Sequence, residues 1–157
     1  MTICAYQKTC LFGSVRDDKV ELTALGRIVQ ECWVAIPQHF PRAEVVAHVI
    51  MPNHVHGIVV LHARVRDKRE RPEAFQKPVA GSVPTLVRSL KGAVTARAHR
   101  AGIKLPHPVW QRNYFERVLR NGKEYTDAMR YILENPMRWQ SDEENPERST
   151  SGHEPKR

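Results

Sequence analysis

Two histidines one residue apart interrupt an apolar run, VIMPNHVHGIVVL, at residues 49–61. An imidazole gives up hydration where Val and Ile gain from burial, so the pair calls for a reason. In an extended chain, residues i and i+2 project to one face. His54 and His56 therefore point the same way from the start of a strand. Two neutral imidazoles converging there suit a divalent metal. The same short pattern also fits two rings that merely hydrogen-bond nearby backbone. The metal reading needs a third ligand from whatever element covers that face.

The segment KEYTDAMRYILEN, residues 123–135, offers one. With about 100° per residue, its expected core stripe is Tyr125, Met129, Ile132 and Leu133, flanked on one side by Glu124, Asp127, Tyr131 and Asn135. Tyr131 and Asn135 are i and i+4 and stack at the helix end. Each also has a plain reading: Tyr131 as an amphipathic residue at the core edge, Asn135 as a helix stop before Pro136. Facing His-x-His, they form a chemical set. A phenol with a pKa of about 10 is a poor nucleophile at neutral pH. It attacks a phosphodiester once a metal polarises the phosphate. A covalent phosphotyrosine conserves the energy of the broken bond, so a strand can be rejoined to another DNA end. Hydrolysis would need only water at the metal.

The elements that must position these groups follow from periodicity. TICAYQ (2–7) reads as a first strand, with Phe12 to Val15 extending or flanking it. Thr23 is a suitable N-cap for a helix whose stripe is Leu25, Ile28, Val29, Trp33 and Ile36, stopped by Pro37. EVVAHVI (44–50) and VHGIVVL (55–61) read as strands joined by the Met51-Pro52-Asn53 turn. From Pro84 a second amphipathic helix buries Leu86, Val87, Leu90 and Val94. NYFERVLR (113–120) reads as a fourth strand, Asn121-Gly122 as a turn, and the Tyr131 helix follows. The order βαββαβ predicts an α+β fold: a ferredoxin-like antiparallel sheet with an additional C-terminal helix carrying the tyrosine. The strand at 55–61 is apolar at nearly every position and so should be covered on both faces. Two helices cover one face, and the Tyr131 helix is the element left for the other.

The chain has 157 residues and a formal net charge of +8, enough for one domain with a core, and basic enough to meet a polyanion, nucleic acid above all. Residues 1–139 are expected to form that domain, with a flexible loop at 62–82 and a disordered, polar tail at 140–157. Cys4, Cys10 and Cys32 are odd in number and lack metal-type spacing, which suggests reduced core or near-core thiols in a reducing compartment. No apolar stretch is long enough to span a bilayer, and no secretory pattern opens the chain, so no membrane partner is expected and the expected location is cytoplasmic. Arg88, Lys91, Arg97 and Arg100 on the second helix, and Arg112, Arg117 and Arg120 around the fourth strand, are candidate DNA phosphate contacts or simply a solvated basic face. Trp110, Tyr114 and Phe115 among those arginines suit either stacking on unpaired bases or core packing.

MPNHVHGIVVL, VWQRNYFERVLRN and YILENPMRW together resemble the single-tyrosine transposases of the HUH endonuclease superfamily, the REP-associated tyrosine transposases and similar insertion-sequence enzymes above all. The resemblance covers roughly residues 1–139 apart from the 62–82 loop. It implies that His54 and His56 bind a catalytic Mg²⁺ or Mn²⁺, that Tyr131 is the nucleophile, and that the Asn135 amide completes the metal site. It further implies nicking and strand transfer on single-stranded or hairpin DNA through a 5′-phosphotyrosine, leaving a free 3′-OH. Relatives carry a segment before the first strand that this sequence lacks, so the resemblance implies either an upstream start or a truncated copy.

Two other readings remain at this stage. One is a non-catalytic ferredoxin-like nucleic-acid-binding module; the other is a metal-dependent phosphodiesterase that uses water. Monomer and homodimer, with the tyrosine acting in its own subunit or the partner's, are both left open.

Overall fold

The computed structural model describes residues 1–63, 81–105, 108–146 and 148. Its elements are β1 (Thr2–Cys4), β2 (Gly13–Arg16), β3 (Lys19–Leu22), α1 (Ala24–Val34), α2 (Ile36–His39), β4 (Ala43–Ile50), β5 (His54–Leu61), α3 (Val83–Arg100) and α4 (Gly122–Glu134), with short 3-10 turns at Tyr6–Lys8 and Pro136–Ser141. The central sheet has the order β1-β5-β4 and is antiparallel throughout. Beyond β1 an extended segment adds a fourth position through the antiparallel bridges Thr2↔Phe115 and Ala5↔Trp110. The result is the expected α+β antiparallel architecture, with that bridged segment, not a regular strand, outermost beside β1.

Alternation sorts the side chains of β5 onto two faces. Val55 joins Ile3, Val29, Trp33, Leu86, Leu90 and Val94 in the main core, under α1 and α3. Gly57 lies on that face because the Trp33 ring occupies the space a Cβ would need. His54, His56 and Ile58 point the other way, where α4 packs on β4 and β5. The both-sided cover expected for β5 is therefore present. Thr23 caps α1 as expected, its hydroxyl accepting from Gly26 N at 3.0 Å. Pro37 does not end the helical path but starts the short α2.

Several expected details differ. NYFERVLR does not form a regular strand; within 113–120 only Phe115 pairs with the sheet. Residues 13–22 form a hairpin of their own, turned by Asp17 and Asp18 at φ of 49° and 58°. Its two-residue turn has both central residues at positive φ, as a primed hairpin turn requires, with Asp in place of the usual glycine. Asn121 is the N-cap of α4 rather than a free turn: its Oδ1 accepts from Glu124 N at 2.9 Å, and the Glu124 carboxylate accepts from Arg120 N. Within α4 only Ile132 is buried; Leu133 is 69% exposed and Tyr125 39%, so the core stripe is narrower than the periodicity suggests.

Cys32 is buried and Cys4 half-buried, but Cys10 is exposed, outside the core where it was expected. Past Pro136 the chain tightens into a 3-10 turn and continues, with Trp139 and Asn145 buried. The expected disorder of the tail thus does not hold for residues 140–146. Residues 147 and 149–157, and residues 64–80 of the expected flexible loop, lie outside the described residues.

Gly57→Ala would force a methyl into the Trp33 ring and move a core residue from its rotamer. We expect a loss of about 1–3 kcal/mol in urea unfolding with an unchanged m-value.

Candidate active site

The histidines stand where β5 is covered on both faces. His54 is fully buried and His56 is 7% exposed. Their rings meet edge to face, with centroids 4.4 Å apart. Each uses its inner nitrogen on a protein partner: His54 Nδ1 bonds Asn53 Oδ1 at 2.7 Å, and His56 Nδ1 bonds Thr2 Oγ1 at 2.8 Å. Thr2 and Cys4 reach the site because β1 sets them directly opposite His56 and His54.

The tautomer of His54 is dictated by its neighbour. Asn53 Nδ2 donates to Lys8 O at 2.9 Å and Glu144 O at 2.6 Å. Only the Asn53 oxygen is left to face the ring, and an amide oxygen cannot donate. His54 Nδ1 therefore carries the hydrogen, and Nε2 presents a lone pair. This is the arrangement in which an outer hydrogen bond fixes a metal-binding imidazole.

Among the described residues, His54 Nε2 and His56 Nε2 are buried with no hydrogen-bond partner, and the buried Asn135 amide lies next to the Tyr131 phenol without a hydrogen bond of good geometry. An unsatisfied buried polar atom costs about 1–3 kcal/mol, so this cluster suits a ligand from outside the chain. The protein completes the cluster with a carboxylate: ligand atoms of His54, His56 and Asp142 all lie within 4.8 Å of one another. Two imidazoles and a carboxylate are a set that suits a transition-metal dication.

Asp142 had no signal in the sequence beyond an acidic residue in a polar tail. It arrives because the 3-10 turn after α4 returns the chain over β5. That return is tied down by the Asn53–Glu144 bond, by Lys8 Nζ to the Glu144 carboxylate at 3.3 Å, and by Asn145 Nδ2 to Trp139 O at 3.0 Å. Trp139 lies against His54, ring centroids 6.2 Å apart.

Tyr131 stands beside this cluster in the same chain, its ring edge-on to His56 with centroids 5.0 Å apart. Tyr131 and Asn135 line one cleft of about 770 Å³ together with Thr2, His56 and Asp142. The alignment of His-x-His with Tyr-x-x-x-Asn is thus met within a single subunit.

Burial pulls the His54 imidazole down to about 4, assisted by the Lys8 ammonium. Burial, and then the adjacent His54, pull His56 down to about 3. Both rings are neutral at pH 7, the form that binds metal. Burial and the Asp142 carboxylate push the Tyr131 phenol above its ordinary value, so at neutral pH it is protonated.

The cationic residues divide. The sheet separates α3 from the histidines; Arg88 and Arg100 are exposed on that helix, and Arg97 contacts Cys32 and Glu31 of α1 at 3.6 and 3.7 Å. Lys91 does not face solvent as expected of a phosphate contact: its ammonium donates to the carbonyls of Gln111, Arg112 and Asn113 at 2.6, 3.3 and 3.3 Å. Arg112, Arg117 and Arg120 are exposed but do not line the cleft, whereas Arg138, which the sequence reading did not single out, does; Arg117 lies 3.6 Å from Glu124. Trp110 is core, packed on Phe12, whereas Phe115 is exposed.

No family model matches the chain. An uncharacterized protein of Haemophilus influenzae (strain ATCC 51907 / DSM 11121 / KW20 / Rd) is 38% identical over 149 residues, 91% of this chain and 82% of that protein. The chain belongs to that protein's family. Among solved structures, a REP-associated tyrosine transposase bound to a REP hairpin matches with a TM-score of 0.57 at 21% identity, over 87% of this chain. This chain spans 64% of that protein's length. The likeness shows a shared fold. No helix among the described residues is long and apolar enough to cross a membrane.

Two outcomes are expected of the site itself. Both imidazoles have folded pKa values below the unfolded value near 6.5, so the unfolded chain binds more protons as the pH falls. In chelator, stability should be full above pH 6.5 and decline toward pH 4 for His54 and pH 3 for His56, by on the order of 2 kcal/mol per ring at pH 5; His54→Gln/His56→Gln should flatten that slope in urea titrations. Nitrogen-15 NMR at pH 7 should show His54 protonated at Nδ1, and Asn53→Ala should erase that preference and cost about 1–3 kcal/mol.

Proposed function

We propose that this protein is a transposase-like nuclease that nicks single-stranded or hairpin DNA and transfers the strand through a covalent bond to Tyr131. The observation that carries the reading is the convergence, in one chain, of two partnerless His Nε2 atoms and a carboxylate, with His56, that carboxylate and the Tyr131 phenol lining one cleft and His54 buried beside it. The shared fold with a tyrosine transposase that was solved bound to a REP hairpin supports it, as does the net charge of +8.

In this reading His54, His56 and Asp142 hold a divalent cation, and the Asn135 amide supplies a fourth polar group. A bound cation would polarise the scissile phosphate and offset its growing charge. A donor set with two imidazoles favours Mn²⁺ over Mg²⁺, which prefers oxygen ligands. Asn53 and Thr2 keep the imidazoles oriented. Tyr131 Oη attacks phosphorus; the bond from phosphorus to the 3′ oxygen breaks, giving a 5′-phosphotyrosine, and the phenolic proton ends on the departing 3′ oxygen as its hydroxyl hydrogen. Attack of another 3′-hydroxyl reverses the step and joins strands. Arg112, Arg117 and Arg120, exposed outside the cleft, serve as phosphate contacts; Arg88 and Arg100, across the sheet, could contact only DNA that continues around the molecule.

Labelled stem-loop DNA with single-stranded flanks, incubated with Mn²⁺ and run on a denaturing gel, tests the reading. A covalent adduct is expected, absent in Tyr131→Phe and in excess chelator. Cleavage that survives Tyr131→Phe would instead make the protein a phosphodiesterase using water. Binding with no cleavage across many DNAs would make it a binding module.

A further inference from the structure

We infer that the sheet-edge segment from Gln111 to Phe115 is a preformed binding strip for an unpaired nucleotide beside the scissile bond, with the Phe115 ring as its stacking platform. The inference rests on the proposed DNA-processing role and names the surface that holds the substrate.

Phe115 and Thr2 exchange both backbone hydrogen bonds, Thr2 N to Phe115 O at 2.8 Å and Phe115 N to Thr2 O at 2.9 Å. Residues paired in this way project to the same face. Thr2 is likewise opposite His56, and its hydroxyl bonds that ring. Phe115, Thr2 and His56 therefore form one row across three strands, with the phenyl ring two strand spacings, roughly 10 Å, from the imidazole. Phe115 is nevertheless 65% exposed and lines the same cleft as Tyr131. The neighbouring Trp110 is only 8% exposed and belongs to the core, and Tyr114, which also lines the cleft, packs partly against that core, so Phe115 is the most exposed ring of the cluster.

Gln111 and Asn113, on either side of a bend at Arg112, line the same cleft as Phe115. Their amides offer donors and acceptors to base edges, and the ring offers a π-face. The strip is held rigid from behind. Gln111 N donates to Cys4 O at 3.0 Å, and the Lys91 ammonium gathers three successive carbonyls, those of residues 111, 112 and 113. A strip fixed in this way loses little freedom on binding. The exposed guanidinium groups of Arg112 and Arg117 flank it, and the charge suits a phosphate backbone.

The test compares wild type, Phe115→Ala and Phe115→Trp on a stem-loop DNA whose single-stranded flank carries 2-aminopurine, with blunt duplex as control and thermal melting to check folding. Phe115→Ala should bind the flanked DNA roughly tenfold to a hundredfold more weakly and lose the quenching of 2-aminopurine. Phe115→Trp should keep both, and duplex binding should not change. Equal affinity and quenching in Phe115→Ala would overturn the strip, even if the Tyr131 adduct still forms. A wild-type dimer dissociated by Phe115→Ala would overturn it too, by assigning the ring to a protein contact. Loss of stacking without any adduct in wild type would leave the strip standing and overturn the nickase.

Discussion

The bond between His54 Nδ1 and Asn53 Oδ1 governs how the rest of the site is assembled. It is short and buried, and its direction is fixed because the other end of the Asn53 side chain already donates to two carbonyls. One amide thereby sets the protonation pattern of the imidazole and anchors two distant stretches of chain, one near Lys8 and one at Glu144. In a low-dielectric setting such a network is stable only when every member is satisfied. Asn53 meets that condition, and the cost is shifted to the far nitrogens, where a ligand can use it.

Burial does the complementary work. Water excluded from both faces of β5 keeps the rings uncharged at neutral pH and strengthens any charge interaction formed there. The same exclusion makes the phenol harder to ionise, so Tyr131 in isolation is weak. If the proposed function holds, the phenol becomes a strong nucleophile only once something positive enters the cleft. Desolvation and chemistry pull in opposite directions at Tyr131, and the three-residue donor set is what can reconcile them.

Much of this could be read from residue order, because it depends on periods of two and 3.6. Those periods put His54 beside His56, gave β5 two covered faces, and set Tyr131 and Asn135 on one side of their helix. What escaped depended on long separations. Asn53 looks like any turn asparagine until Glu144, 91 residues away, meets it. Asp142 sits in a polar stretch whose composition resembles disorder, and only its tether to the body of the domain folds it. Lys91 occupies a position suited to solvent on a helical wheel, yet its long stem reaches three carbonyls on a neighbouring edge. The fourth strand failed as a regular element because only Phe115 of residues 113–120 pairs with β1, itself three residues long.

The passage from α4 into the 3-10 turn has a mechanical side. Pro136 removes a backbone donor but leaves Asn135 helical, at φ −57° and ψ −42°, so the rod carrying Tyr131 runs without a hinge into the turn that ends at Ser141. The six residues of that turn rise about 2.0 Å each rather than 1.5 Å and deliver Asp142 back to the histidines. Phenol and carboxylate consequently ride on a single lever. Under the proposed function, the nucleophile and a cation ligand therefore hang from one continuous helical path whose far end is pinned to Asn53 and Lys8 through Glu144.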